Sequence, residues 1–292
     1  MCGEMVVLSA LAAVSGCAVD APASTGDELT AVEGSSVVHL QPVRAASKVA
    51  DVAPPGAHLT YWGGPLLGTV HVSPIYWNSA VQFQSTLSLF YNDVPNSPLY
   101  TLLGQYGVGH GSGVPGIVGA NTTRNILDAD VRNEVLSEIN QGRVAPPNDP
   151  NAYYPVHLAP GMQVTAPDGS RSCVQFCAYH GTFQVQNSAG TLFNVNYGVL
   201  PDLSGACNGI CGANPAVVNN TTSVASHELI EATTDPAVGL ATTFGPPLGW
   251  YDPNNGEIGD ICNAQQGTTT GNGRSYVIQL EFSNAVNNCV AQ

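Results

Sequence analysis

Thr221-Thr222-Ser223-Val224-Ala225-Ser226-His227-Glu228-Leu229-Ile230-Glu231-Ala232-Thr233-Thr234, followed by Asp235-Pro236, is the stretch on which the reading of this chain turns. Asn219 or Asn220 can cap its start and Pro236 closes it, which predicts a helix over about 221–234. The segments on either side carry a two-residue period instead. Strands are expected at 155–158, at 174–180 continuing through 181–185, at 192–200, and at 275–282 after the helix. Nearer the start, Thr69-Val70-His71-Val72 and Ile75-Tyr76-Trp77 read as strands separated by Pro74. Phe83, Leu87 and Phe90 mark one helix face, Ser97-Pro98 opens another helix, and Val131, Val135 and Ile139 mark a third that stops at Gly142. Residues 104–120 are glycine-rich and read as a loop. Strands and helices in mixed order predict an α/β or α+β fold: a single mixed-sheet domain with packed helices, spanning 58–292, with no internal repeat.

Composition narrows the function classes. The chain has 292 residues, 43% hydrophobic and 10% charged, which suits a globular domain and excludes coiled coil, collagen and wholesale disorder. Seven Lys and Arg stand against 21 Asp and Glu, and the basic residues form no cluster. That argues against nucleic acid and against an anionic membrane surface as partners.

The apolar run from Met5 to Val14 is too short to span a bilayer and ends in small residues before Cys17. It reads as an export signal over 1–17. Val14-Ser15-Gly16-Cys17 also looks like a bacterial lipobox, which gives two destinations: extracellular release, or a lipid anchor on Cys17 at the bacterial cell surface. Glu4, with no Lys or Arg nearby, departs from that pattern. Residues 18–57 are rich in Ala, Ser, Val and Pro and read as a flexible tether or a pro-segment. Export favours disulfides, and the cysteines beyond Cys2 and Cys17 suggest the pairs Cys173–Cys177, Cys207–Cys211 and Cys262–Cys289. Six cysteines allow fifteen connectivities, and a four-thiolate zinc site built from the two C-x-x-x-C pairs is the rival.

The chemistry concentrates in Ser226–Glu231. His227 and Glu231, four residues apart on a helix, share a face as two ligands of one metal ion must. Glu228 is turned about 100° away and is placed as general base toward a water polarised by that ion, as in H-E-x-x-H with Glu in place of the second His. The bland alternative is an acidic helix face with an incidental His. Glu257 or Asp260, in the glycine-punctuated segment from Gly249 to Cys262, is the expected third ligand; the alternative is a turn whose acids cap backbone amides. Asp235 belongs at the helix end. Zn²⁺ is the expected ion; Asp-Pro-Asn-Asn-Gly-Glu lacks EF-hand spacing, yet an oxygen-rich site can hold calcium. His180 and Tyr251 are candidates to stabilise an oxyanion, His180 also as a ligand or a buried structural His. His110 and Ser112 lack the flanking glycines of a nucleophile elbow. Trp62, Trp77 and Trp250 would line a sugar cleft or fill the core.

Several blocks carry a resemblance in order: Tyr61-Trp62-Gly63-Gly64-Pro65, Ile75-Tyr76-Trp77, the segment from Cys173 to His180, Cys207 and Cys211, Ser226-His227-Glu228-Leu229-Ile230-Glu231 through Pro236, Gly249-Trp250-Tyr251-Asp252, Gly256-Glu257-Ile258-Gly259-Asp260-Ile261-Cys262, and Asn288-Cys289-Val290. Together they resemble the phosphate-induced protein 1 (EXORDIUM-like) family, whose plant members are secreted and linked to growth. The lipobox-like start and the insert Ala241-Thr242-Thr243-Phe244-Gly245-Pro246-Pro247 depart from the plant pattern and suggest a bacterial secreted or surface relative. The resemblance implies that His227, Glu228, Glu231, Glu257 and Asp260 form one constellation. Two function classes follow: an exported zincin-like metallopeptidase or related hydrolase acting on peptide or protein, and a non-catalytic extracellular protein binding polysaccharide or a partner. Within the first, 18–57 can serve as an inhibitory pro-region.

Overall fold

A computed structural model describes residues 28–32, 34, 37–43 and 52–292. The export signal and Cys17 lie outside the described residues. Among the described residues no helix is long and apolar enough to cross a membrane.

Alternation of apolar and polar residues makes Phe176–Gln186 and Leu192–Leu200 an antiparallel hairpin, with Tyr179 opposite Val199 and Thr182 opposite Asn196. Leu192–Leu200 runs parallel to Ala152–His157, a strand buried along its whole length as an interior parallel strand must be. His71–Val72 and Ile75–Tyr76 continue the sheet in parallel, backed by Ser112–Gly113 and Ile117–Val118. On the opposite edge, Thr30–Ala31 and Val37–Pro42 pair antiparallel with Phe176–Gln186. The result is a mixed sheet of nine strands among the described residues. The helices Gln84–Asp93, Pro98–Leu102, Asp128–Asn140 and Val217–Thr234 complete a mixed α/β fold.

Val217–Thr234 organises the interior, because every residue from Asn220 to Thr234 is buried. A helix buried on all sides needs cover on all sides. The sheet strands lie against it, and so does the hairpin Gln266–Gly271 with Arg274–Gln279. Its hydroxyl groups are satisfied from within: Thr233 Oγ1 donates to Leu229 O (2.6 Å), Thr234 Oγ1 to Ile230 O (3.0 Å), and Ser226 Oγ donates to Ser223 O while accepting from Gln279 N. The helix starts one turn earlier than its sequence suggests, at Val217. Asn220 does not cap it; its side chain holds the loop before it, accepting from Asn214 N and donating to Asn214 O.

Val37–Pro42 falls within the segment read as a tether, yet it is a sheet strand. Two valines and Leu40 give it strand propensity, and the open edge of Phe176–Gln186 supplies the backbone partners. Trp77 is fully buried, its Nε1 donating to Thr123 O, so it fills the core and does not line a sugar cleft.

Three disulfides are present, and two differ from the expected pairs. Cys173 bonds Cys207, Cys177 bonds Cys211, and Cys262 bonds Cys289 as expected. Cys177 enters an extended strand that carries it away from Cys173, while the loop before the long helix returns beside it with matched spacing. The equal separations of 34 residues are the sequence trace of this pairing. With the sulfurs oxidised in pairs, the four-thiolate zinc site is ruled out.

The two bridges share most of one loop, so with either intact the other closes only a short ring of about eight residues. Cleavage under non-reducing conditions should yield Cys173–Cys207 and Cys177–Cys211 peptides. Replacing either pair by Ser should cost about 2.5 kcal/mol, and replacing both about 6 kcal/mol, more than the two single losses together. A double loss no larger than a single one in urea unfolding would contradict this.

Candidate metal centre

Four separate chain segments bring ionisable groups to one point. The long helix contributes His227, Glu228 and Glu231, the glycine-rich segment Glu257 and Asp260, and the strand Phe176–Gln186 contributes His180. The edge strand adds His39, which stands directly opposite His180 in the register. His39 is the residue the sequence reading missed, since a lone His in an Ala- and Ser-rich segment carries no ligand spacing.

Glycine makes the convergence possible. A Cβ at Gly259 would stand 2.6 Å from His227 Nδ1 and 2.9 Å from Glu231 Oε1, so only glycine lets this segment lie on the helix. From there Asp260 N donates to Glu231 Oε1 (3.0 Å) and Glu257 N to Asp260 Oδ2 (3.2 Å). Asp235, at the helix end, accepts from Gly249 N (2.8 Å) and ties the same segment down further along.

His180, His227, Glu228, Glu231 and Glu257 have side chains with 0% exposure, whereas Asp260 and His39 keep 13% and 23%. His180 Nδ1 lies 3.2 Å from Glu228 Oε2, and its Nε2 lies 3.6 Å from Glu257 Oε1. His39 Nε2 is 2.7 Å from Asp260 Oδ2 and 3.4 Å from Glu257 Oε2. His227 Nε2 is 3.0 Å from Glu231 Oε2, but the angle is not that of a hydrogen bond. His180 Nε2, His227 Nε2, Glu228 Oε1, Glu231 Oε2 and both Glu257 oxygens are buried without a hydrogen-bond partner. Native interiors leave few such atoms, and each calls for a proton, a water or an ion as its partner.

The two helix-facing imidazoles are not equivalent. Gln279 donates from Nε2 to Gly259 O (2.8 Å) and accepts at Oε1 from Ala264 N (3.1 Å), so its amide orientation is fixed. The same Nε2 lies 2.7 Å from His227 Nδ1, so Gln279 holds that ring by its Nδ1 side and leaves Nε2 turned toward Glu231. His180 is instead held at Nδ1 by acids, 3.2 Å from Glu228 Oε2 and 3.6 Å from Glu231 Oε2.

The electrostatics follow from burial. Burial, then repulsion from Glu231 and its other acidic neighbours, raises Glu228 and Glu257 well above the usual carboxylate range, and Glu281 likewise. Burial lifts Asp235 to about 7 against the pull of the Gly249 amide. Burial and the neighbouring rings His39 and His227 push His180 well below its usual value, so it stays neutral. Burial lowers His39, but the bond and charge of Asp260 outweigh it and bring it to about 9. Burial raises Asp260, and its pairing with His39 more than reverses that.

Tyr251 does not join the cluster. It lies on the wall of a cleft of about 410 Å³ together with Val38, His39, Val238, Phe244 and Leu248. Burial and the facing acids hold its hydroxyl at about 12, neutral and able to donate. Phe244 stacks between Trp62 and Tyr251 at this rim.

In chain freed of metal, the raised groups bind protons in the folded state that the unfolded state has released. Above pH 6.5, where neutral His180 and His157 no longer oppose the trend, stability must therefore fall as pH rises toward 9 through the folded values of Asp235 and His39 and toward those of Glu228 and Glu257. Urea unfolding with chelator present should show this decline, and a flat or rising profile would contradict it. Comparison with protein-family models, with curated proteins and with solved structures gives no match for this chain.

Proposed function

We propose that this chain is an exported metal-dependent hydrolase, a zincin-like metallopeptidase whose ion would be held by His227, Glu231 and Asp260, whose ligand atoms lie within 4.8 Å of one another, and whose general base is Glu228. The observation that carries this reading is the set of partnerless, buried donor atoms around Glu231. Zinc fits best, because imidazole with carboxylates suits it, whereas calcium needs six or more oxygens. The three disulfides support export, and the ordered blocks shared with the phosphate-induced protein 1 (EXORDIUM-like) family support a secreted relative of that family.

The chain's own residues divide the work. His180, beside Glu228 and Glu231 at Nδ1, positions the carboxylate of Glu228. Glu228 keeps Oε1 free to take a proton from water. His227, Glu231 and Asp260 would hold the cation, with the His227 ring held at Nδ1 by the Gln279 amide. Tyr251, at the cleft wall, can donate to the oxygen of a substrate carbonyl. When bound, Zn²⁺ supplies the Lewis acidity that polarises the carbonyl and the water. A bound cation also returns the raised carboxylates to their ionised, metal-binding form.

A second reading is favoured by the complete enclosure of His180, Glu228, Glu231 and Glu257. In it the ion is structural and the aromatic rim of Trp62, Phe244 and Tyr251 binds polysaccharide or a partner protein.

Elemental analysis of the dialysed chain should find about one zinc per molecule. His227→Ala and Asp260→Ala should abolish retention while His180→Gln keeps it; retention in His227→Ala would overturn the ligand assignment. Glu228→Gln should leave zinc content and Tm unchanged and lower peptide hydrolysis about a thousandfold. A wild-type chain that holds zinc and cleaves no member of a peptide library would favour the structural reading.

A further inference from the structure

Glu231 is the residue on which the ionisable groups of the centre converge. Among the described residues, three sets each place one donor atom per residue within 4.8 Å of one another: His227 with Glu231 and Asp260, His180 with Glu228 and Glu231, and His39 with Glu231 and Glu257. The first set serves as cation ligands and the second supplies the general base with its positioning imidazole, which leaves His39 and Glu257 without a role. Both are nevertheless firmly placed. Val38 and Leu40, on either side of His39, pack on the core, and the antiparallel register sets His39 opposite His180. Glu257 is followed by the fully buried Ile258, whose carbonyl accepts from Phe282 N (3.2 Å).

Glu257 is fully buried, and neither of its carboxylate oxygens has a hydrogen-bond partner among the described residues. Its Oε2 lies 3.4 Å from His39 Nε2, and its Oε1 lies 3.6 Å from His180 Nε2, which is itself buried and partnerless. These spacings exceed those of a good hydrogen bond. They match instead the separation of about 3.3–3.4 Å between two ligand atoms on one tetrahedral ion with bonds of about 2.0–2.1 Å. His39 Nε2 also lies 2.7 Å from Asp260 Oδ2, and a cation on Nε2 would replace the proton they share. Charge leads to the same place. Glu228, Glu231, Glu257 and Asp260 carry four negative charges when ionised, one divalent cation offsets two of them, and buried charge left without an opposite charge is costly.

We propose that His39, Glu257 and Glu231 form a second zinc site, that Glu231 is shared between it and the first, and that His180 Nε2 is placed to complete its ligands. The inference rests on the reading of His227, Glu231 and Asp260 as the ligands of the first ion. One imidazole with carboxylates suits zinc. The second site is the outer one. His39 keeps 23% exposure and forms part of the wall of the 410 Å³ cleft beside Tyr251, whereas the His227 side chain is fully enclosed. The outer site therefore fills last and empties first, so that dialysis leaves one ion and excess zinc restores two. Paired ions in hydrolytic centres stand about 3.5–4 Å apart and act together on the attacking and leaving oxygens. The outer position is the one that a substrate carbonyl in the cleft meets first.

The test titrates the dialysed full chain with zinc chloride by equilibrium dialysis in a non-chelating buffer. A second equivalent should bind saturably. His39→Ala and Glu257→Gln should keep the first zinc and the Tm of the parent and bind the second at least about a hundredfold more weakly. X-ray absorption of the wild-type chain carrying two zinc ions should show a zinc–zinc vector at about 3.5–4 Å that is missing at one equivalent. That readout needs no variant and stands even where a substitution disturbs folding. One dialysis-resistant zinc with no second uptake overturns the proposal and supports the single-ion centre. Uptake of the second ion by His39→Ala with wild-type affinity, or two bound ions without the vector, overturns it as well. A dialysed chain that retains no zinc but binds one equivalent through His39 and Glu257 supports this site and overturns the assignment of the first ion alone.

Discussion

Glu228, Glu231, Glu257 and Asp260 share one small volume with three imidazoles, and removing so many ionisable groups from water is the constraint on which the rest of the structure depends. Isolated carboxylates cannot remain charged in such a place without a partner. The molecule answers in two ways. Some groups take up protons, as the raised values of Glu228 and Glu257 show, and Asp260 pairs with His39. Neither device gives partners to the lone pairs of Glu257 or to His180 Nε2.

Holding such a cluster needs a rigid frame, and the surrounding architecture supplies it. The long helix is packed on every side and satisfies its own hydroxyls, so that no competing polar group interrupts it. Gly259 lets the acidic segment approach to van der Waals distance, and Gln279 ties His227, Gly259 and Ala264 together with one amide. The disulfides Cys173–Cys207 and Cys177–Cys211 tie the beginning of the His180 strand to the loop that leads into the helix. The third, Cys262–Cys289, anchors the acidic segment just beyond Asp260. Each of the contributing segments, the edge strand with Val38 and Leu40 included, is thus held by packing or by a covalent crosslink.

The edge strand gives the centre its asymmetry. It is paired with Phe176–Gln186, packs Val38 and Leu40 on the core, joins Asp260 through His39, and stands between the buried carboxylates and the 410 Å³ cleft. Asp260 also faces a smaller cleft of about 220 Å³ beside Val52, Pro54 and Ile261.

Much of this was legible in the sequence. The helix around Glu228, the strands expected at 174–185 and 192–200, the mixed class and the pairing of His227 with Glu231 on one helix face follow from periodicity, from Pro236 and from the four-residue spacing, all of which are local, whereas the gathering of Glu257 and Asp260 with them was implied by the family resemblance. The Cys262–Cys289 bridge was equally plain, whereas the other two follow from how a loop returns past a strand, which no spacing rule within one segment encodes. His39 is the sharpest case: nothing around it announces a site, and it is drawn in because antiparallel register on an open strand edge sets it opposite His180. The division between the two imidazoles was likewise decided in three dimensions, since Gln279 reaches His227 across 52 residues of chain and holds its ring by Nδ1. The sequence by itself determined which residues form helices and strands and which have the chemistry to bind a cation, because backbone preference and side-chain chemistry are properties of short segments. Only the tertiary structure decided which lone pairs point at one another and what stands in front of them, because those depend on register, packing and hydrogen bonds between distant parts of the chain.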